Sequence, residues 1–282
     1  MKIDGFLSPN IFISLKKSKD FYGKLPDEVE LDLELECLSY DINKLAMKVA
    51  QVSFPLNSLS DFLAGVLYAR LVQDYQAVIL MASRGMRAQS RTMARSALET
   101  MFHCLAASED IQLKSGRASP ISYVDAVLSA NDSYRLRQSL QVLQSEFLSA
   151  DVKADVVRAM EGVKETKPTG INLQNLAEDL QRSGWYSRYY RRLSQDSHPS
   201  ITAIEHHIFI SDPNEPANAQ FGPSYVQFQD TVVVAIFVLF EALRSLLERQ
   251  LPQEMGSPIE EEMLVLLKKF APFVTDKDIS EV

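Results

Sequence analysis

The stretch RYYRRLSQDSHPS, Arg188 to Ser200, gathers three arginines, two tyrosines, a histidine and a proline. Arginine guanidinium groups grip phosphate oxygens bidentately, and aromatic faces stack nucleobases at about 1–3 kcal/mol each. With Arg182, Trp185 and Tyr186 just upstream of Tyr189 and Tyr190, the composition is that of a local platform for RNA or a nucleotide. His198 adds a proton carrier. It precedes Pro199, which disfavours helical dihedrals at His198, so the helix from Trp185 is expected to end there. In helical phase Arg191 and Ser194 point the same way as His198, and Asp196 lies close by. An arginine to hold phosphate and a histidine to move a proton suffice for metal-free RNA cleavage, in which the 2′-hydroxyl is the nucleophile. The competing reading is structural: ring side chains in a core, arginines snorkelling past it, and His198 capping the preceding carbonyls.

A second basic run, Arg84, Arg87, Arg91 and Arg95, carries no intervening acid. Arg91, Arg95, Glu99 and His103 recur every fourth residue, so at about 100° per residue they drift slowly across one helical face. Met93, Ala94, Ala97, Leu98, Met101, Phe102, Cys104 and Leu105 cover the other half. Either the polar face is solvated, with an Arg95–Glu99 pair contributing a few tenths of a kcal/mol, or it is buried and held by further hydrogen bonds. The small neighbours Thr92, Ser96 and Thr100 leave room for another helix to approach.

Several chemistries are excluded or disfavoured. Glu205, His206 and His207 are adjacent and cannot all face one ion, and no HExxH spacing occurs, so no metal site is expected. There is no GxSxG elbow and no glycine-rich phosphate loop, and no cofactor is implied. The net charge of −8 argues against a surface coated for nonspecific DNA binding. Cys37 and Cys104 are far apart, which suits a reducing compartment. Ser8, Pro9 and Asn10 interrupt any signal-peptide core, and the apolar run VVVAIFVLF falls short of the roughly 20 residues a bilayer demands. A cytoplasmic protein without membrane contact is expected.

The elements that must position these residues read as helices. Leu31, Leu35, Leu38, Ile42, Leu45 and Val49 step by four and three, which overrides a short strand-like alternation after Pro26. SLSD at Ser58 forms a capping box for a helix to about Arg84, and Gly85 breaks it before the basic helix that runs to about Ser108. Ser119 and Pro120 are expected to open the next helix. Weaker helices follow over 151–164 and 173–183, and TAIE caps another near Thr202. A turn-rich loop, FISDPNEPANAQFGPS, leads to the long apolar helix from Tyr225 to about Gln250, and SPIE at Ser257 starts the last one. The sum is an all-α multi-helix bundle: an N-terminal extension over 1–26, a bundle domain over 27–252, and a C-terminal helix and tail over 253–282.

Arginine, then five or six residues, then histidine, in an all-helical protein, resembles the motif of the HEPN superfamily. Many members of that superfamily are metal-independent ribonucleases that act as dimers in toxin–antitoxin and phage-defence systems. The resemblance implies Arg191 or Arg192 on the phosphate, His198 as the acid–base residue, a homodimer and a regulatory protein partner. The motif usually has a polar residue directly after its arginine, whereas Arg191 is followed by Arg192 and Arg192 by Leu193. RSALE paired with a later LSQDSHPS is also similar to an uncharacterised bacterial helical family, domain of unknown function 5677, over about Leu59 to Gln250. Two classes of function therefore stand side by side. One is a HEPN-like ribonuclease; the other is a non-catalytic binding module in which Arg95, Glu99, Ser194 and His198 form a structural cluster.

Overall fold

The computed structural model describes residues 29–51, 58–131, 150, 153–154, 157, 171–195, 208–209, 218–219, 228–249 and 253–274. Helix α1, Val29–Ala50, turns Leu35, Leu38, Ile42, Leu45 and Val49 into the core, the stripe its spacing demands. Helix α2, Leu59–Ala82, starts where the Ser58 hydroxyl accepts the Asp61 N–H at 3.1 Å. Gly85, at φ 67°, takes the left-handed conformation that lets the chain reverse into α3, Arg87–Glu109.

The two helices pack antiparallel along their length. Ser60 donates to the Ala107 carbonyl, Cys104 reaches the Ala64 carbonyl at 3.6 Å, and farther along Thr100 meets Asp74. Ala64 and Ala107, whose carbonyls accept two of these bonds, keep the contact close, while Leu71, Leu98 and Met101 are fully buried in the core. Helix α1 is bonded to α2 through buried polar groups: Tyr68 and Tyr75 donate to the Ala46 and Ser39 carbonyls, and Gln76 donates to Asn43.

After α3 comes a two-stranded antiparallel hairpin, β1 (Gln112–Leu113) with β2 (Ile121–Ser122), and then a helix, α4, over residues 123–131. Here the structure departs from the expectation that Ser119 caps this helix. Ile121 and Ser122 are extended and paired to β1, and the Ser122 hydroxyl accepts the Asp125 N–H instead. Helix α5 is Leu173–Asp179, shorter than expected, because Leu180 and Gln181 form a turn with Gln181 at φ 59°. The helical segment α6 covers residues 183–194. Within the expected loop, Ile208–Phe209 (β3) pairs with Asn218–Ala219 (β4).

Helix α7, Phe228–Arg249, carries the long apolar run, and Val232, Ala235, Ile236 and Leu239 are buried against α2 and α3. The last helix, α8, Gln253–Phe270, begins before the expected Ser257 and holds Pro258 within it. It lies along α1, with Lys48 paired to Glu262 at 2.9 Å and Phe270 edge-on to Phe237. The expected helix at Thr202, most of that over 151–164, and the start of α7 before Phe228 lie outside the described residues. Among the described residues no helix is long and apolar enough to cross a membrane. The architecture is an all-α multi-helix bundle with two short strand pairs.

Leu98 is fully buried where α3 meets the other helices. Leu98→Ala is expected to lower the unfolding free energy by about 2–5 kcal/mol, read from chemical denaturation curves. A loss under about 1 kcal/mol would show that this contact is not central to the fold.

Candidate functional site

Segment α6 is helical with a defect. Ser183–Trp185 is α-helical, Tyr186–Tyr190 forms a π turn in which the Arg191 N–H reaches the Tyr186 carbonyl, and Arg191–Ser194 returns to α. The wider turn brings the Tyr186 and Tyr190 rings into a stack, 5.0 Å apart and 18° from parallel. Two ion pairs fasten the segment antiparallel to α7: Arg182 to Glu241 at 3.3 Å and Arg192 to Asp230 at 2.6 Å. Between them Trp185 sits edge-on to Phe237, 6.1 Å between ring centres, and Tyr189 packs on Trp185. Trp185 and Tyr189 are buried at 2% and 8% exposure, so their faces belong to the core rather than to a base-stacking surface.

Tyr190 faces α3. Its phenol donates to Glu99 Oε1 at 2.6 Å and accepts from Arg95 Nη2 at 2.6 Å, while Arg95 and Glu99 pair directly at 2.7 Å. The Arg95 guanidinium also lies 4.9 Å from the Tyr190 ring centre. Burial works against the charge on Arg95, and the Tyr190 hydrogen bond and Glu99 carboxylate outweigh it, so its pKa is raised. Burial and then the Glu99 bond push the Tyr190 phenol up, which keeps it protonated at neutral pH. The spacing by four on α3 thus builds a half-buried closed triangle, neither a solvated face nor a sealed pair.

A polar group that the sequence reading passed over lies beside it. Asp74 interrupts the run LVQDYQAVIL on α2, and that interruption was the available signal. Its carboxylate, 8% exposed, accepts from the Thr100 and Ser96 hydroxyls at 3.0 and 3.2 Å, with Arg70 at 3.9 Å. Burial raises the Asp74 pKa, and the two hydroxyls counter it. The small residues of α3 let α2 approach and supply the donors. One turn further, His103 Nδ1 lies 2.9 Å from the Tyr123 hydroxyl of α4. Burial lowers the His103 pKa; nearby Glu99 pulls the other way, and Arg70 adds to the lowering.

The two adjacent arginines have different fates. Arg192 is paired with Asp230. Arg191 is exposed, has no side-chain partner among the described residues, and lines a cleft of about 530 Å3 with Tyr186, Ser187, Gln174 and Glu178. Gln174 donates to the Glu178 carboxylate at 3.1 Å. Ser194 turns back on its own helix, donating to the Tyr190 carbonyl at 2.8 Å. The sequence-identified Arg95, Glu99 and Tyr190 are therefore brought together. Arg191 stands apart on the open side, and Asp196 and His198 lie outside the described residues.

Residues 61–216 match the model of a family of unknown function, DUF5677. That span holds Asp74, the Arg95–Tyr190–Glu99 triangle, Arg191 and His198. No curated protein and no solved structure matches the chain.

Tyr190→Phe leaves the Arg95–Glu99 pair in place and removes two charge-assisted bonds. With both partners partly exposed, the expected loss is about 1 kcal/mol. A double-mutant cycle with Glu99→Gln should give a coupling of roughly 0.5 kcal/mol or more, and additivity would show the triangle to be inert. His103 gives a pH signature. Its folded pKa lies below the unfolded one, so the unfolded chain binds the extra proton between the two values, and stability falls as pH drops through that window. The melting temperature of His103→Gln should therefore fall less than that of wild type between about pH 7 and pH 5.5. Equal slopes would contradict the burial of a neutral imidazole.

Proposed function

We propose, for a chain that belongs to the DUF5677 family of unknown function, that it binds single-stranded RNA and cleaves it without a metal ion. The carrying observation is Arg191, without a side-chain partner among the described residues, exposed on the wall of an open cleft beside the stacked Tyr186 and seven residues before His198. Of the two arginines allowed by the HEPN-like spacing, Arg191 is the one without a side-chain partner among the described residues. Arg192 spends its charge on Asp230.

In this reading Arg191 holds the non-bridging oxygens of a phosphodiester bidentately, and Tyr186 offers a face to an adjoining base. His198 takes the proton of the 2′-hydroxyl, whose oxygen attacks phosphorus in line. The bond from phosphorus to the 5′-oxygen breaks, and that oxygen takes a proton from solvent or from the imidazole of a second copy. The products are a 2′,3′-cyclic phosphate and a 5′-hydroxyl end. Glu178 is the carboxylate on the cleft wall and repels the phosphate chain, held off by its bond from Gln174.

A second reading is favoured by the Arg95–Tyr190–Glu99 triangle, whose members bond one another as a structural cluster would, with Arg95 Nε left over among the described residues. It makes the protein a binding module with no chemistry at His198.

Cleavage of a mixed-sequence single-stranded RNA in EDTA separates the two. His198→Ala, folded as wild type is, should lose roughly 10²-fold or more in rate, and Arg191→Gln a comparable amount. Glu178→Gln should tighten RNA binding a few-fold by removing a like charge from the cleft. Cyclic-phosphate ends on the product support the nuclease. RNA binding without cleavage by wild type, or cleavage unchanged in His198→Ala, gives the binding module the better claim.

A further inference from the structure

The loop that joins β1 to β2 is fastened to α5. Asp179 accepts from the Lys114 N–H at 2.9 Å, the Ser115 N–H at 3.0 Å and the Ser115 hydroxyl at 2.7 Å. Gly116 sits at φ 68°, where a side chain is strained, and a Cβ there would displace the Asn175 amide, whose Nδ2 lies 2.2 Å from its position. Between loop and helix is a cavity of about 400 Å3, within the range of small-molecule sites. Leu113 and Leu176 are buried beneath it, and the half-buried Ile171 is its apolar wall.

Its polar lining is rich in unspent donors. Arg117 is half-buried, and its guanidinium has no ion pair or hydrogen bond among the described residues. The acid lining the cavity, Asp179, has its oxygens engaged by the loop. Ser119 and the Asn175 side-chain amide have no partners among the described residues, and Asn172 uses only its Oδ1, which caps α5. A partly desolvated guanidinium with surplus donors around it favours an oxyanion, because the cation and the donors then satisfy a single group. The Asn175 amide offers the paired donor and acceptor that a base edge requires, and Asn172 adds its Nδ2 donors. The half-buried Ile171 side chain suits the edge of a ring.

We propose that this cavity is a binding site for a nucleoside monophosphate, with Arg117 and Ser119 on the phosphate and Asn172 and Asn175 on the base. The site is separate from the Arg191 cleft, which takes Gln174 and Glu178 from the other flank of α5, and it stands whether or not the chain cleaves RNA.

Calorimetric titration of the full chain with AMP, inorganic phosphate and adenosine tests it. Wild type should bind AMP with a Kd of roughly 1 mM or tighter, and both fragments more weakly. Arg117→Gln should weaken AMP binding about tenfold or more, and Arg191→Gln should leave it within about twofold. Asn175→Ala provides a second variant should Arg117→Gln not fold, and it too should weaken AMP. No AMP binding by wild type overturns the proposal, as does binding that tracks Arg191 or survives both cavity variants. Phosphate binding as tight as that of AMP also overturns it, since the site would then take a bare oxyanion.

Discussion

Burial of the Asp74 carboxylate between two long antiparallel helices is the constraint on which the candidate site depends. A carboxylate removed from water is costly unless donors surround it, and here Ser96 and Thr100 must stand opposite Asp74 to supply them. Those two contacts fix α3 against α2 in rotation and in register. The alanines of the interface would tolerate sliding far better than this bond pair does, because apolar contact is non-directional. Once the register is set, Arg95, Glu99 and His103 have no choice of direction. They emerge on the flank where α6 and α4 land.

The second determinant is the π turn in α6. A straight α-helix from Ser183 would carry Tyr190 out of phase with Arg95 and Glu99, and Arg191 out of phase with the cleft it lines. One wide turn changes the phase between the buried anchors, Trp185 and Tyr189, and the residues that follow. As a result the same short segment buries two rings on the α7 side, hands one phenol to α3, and leaves Arg191 at an open cleft. The ion pairs of Arg182 and Arg192 with α7 hold both ends of this arrangement. Electrostatics thereby distinguishes two neighbouring arginines that are chemically identical in the sequence.

Much of this was legible beforehand, for reasons that can be named. The helices with strong period and an unambiguous cap, α1 and α2, were readable because burial and capping point to the same residues: Leu35, Leu38 and Ile42 in one case, Ser58 in the other. The polar stripe of α3 was readable as a stripe, and its neighbours Ser96 and Thr100 as a surface fit for close approach. What they met was not readable, since Asp74 is distant in sequence and one acid in an apolar run has many explanations. The helix start at Ser119 misled because Pro120 favours a helical first turn and an extended preceding residue equally well. Pairing with Gln112–Leu113 decided the matter. Trp185 and Tyr189 carried the composition of a base-stacking surface and the burial of a core. Only tertiary contact with Phe237 separates those two.

Helix α5 shows how far this dependence on α3 extends. Seven residues are too few to hold helical structure alone in water, since the first turn is costly to nucleate. Leu176 and Ala177 are buried where α5 packs on α3, Asn172 caps its start, and Asp179 binds the hairpin loop near its end. Its remaining faces form a wall of the Arg191 cleft on one side and of the Arg117 cavity on the other. Both clefts therefore share a wall whose rigidity is borrowed from α3, the helix that also carries the Arg95–Glu99 pair. A change that loosens the α2–α3 register would disturb the triangle and the two cleft walls together, although the Asp74 carboxylate reaches them only by way of Ser96 and Thr100 on α3 among the described residues.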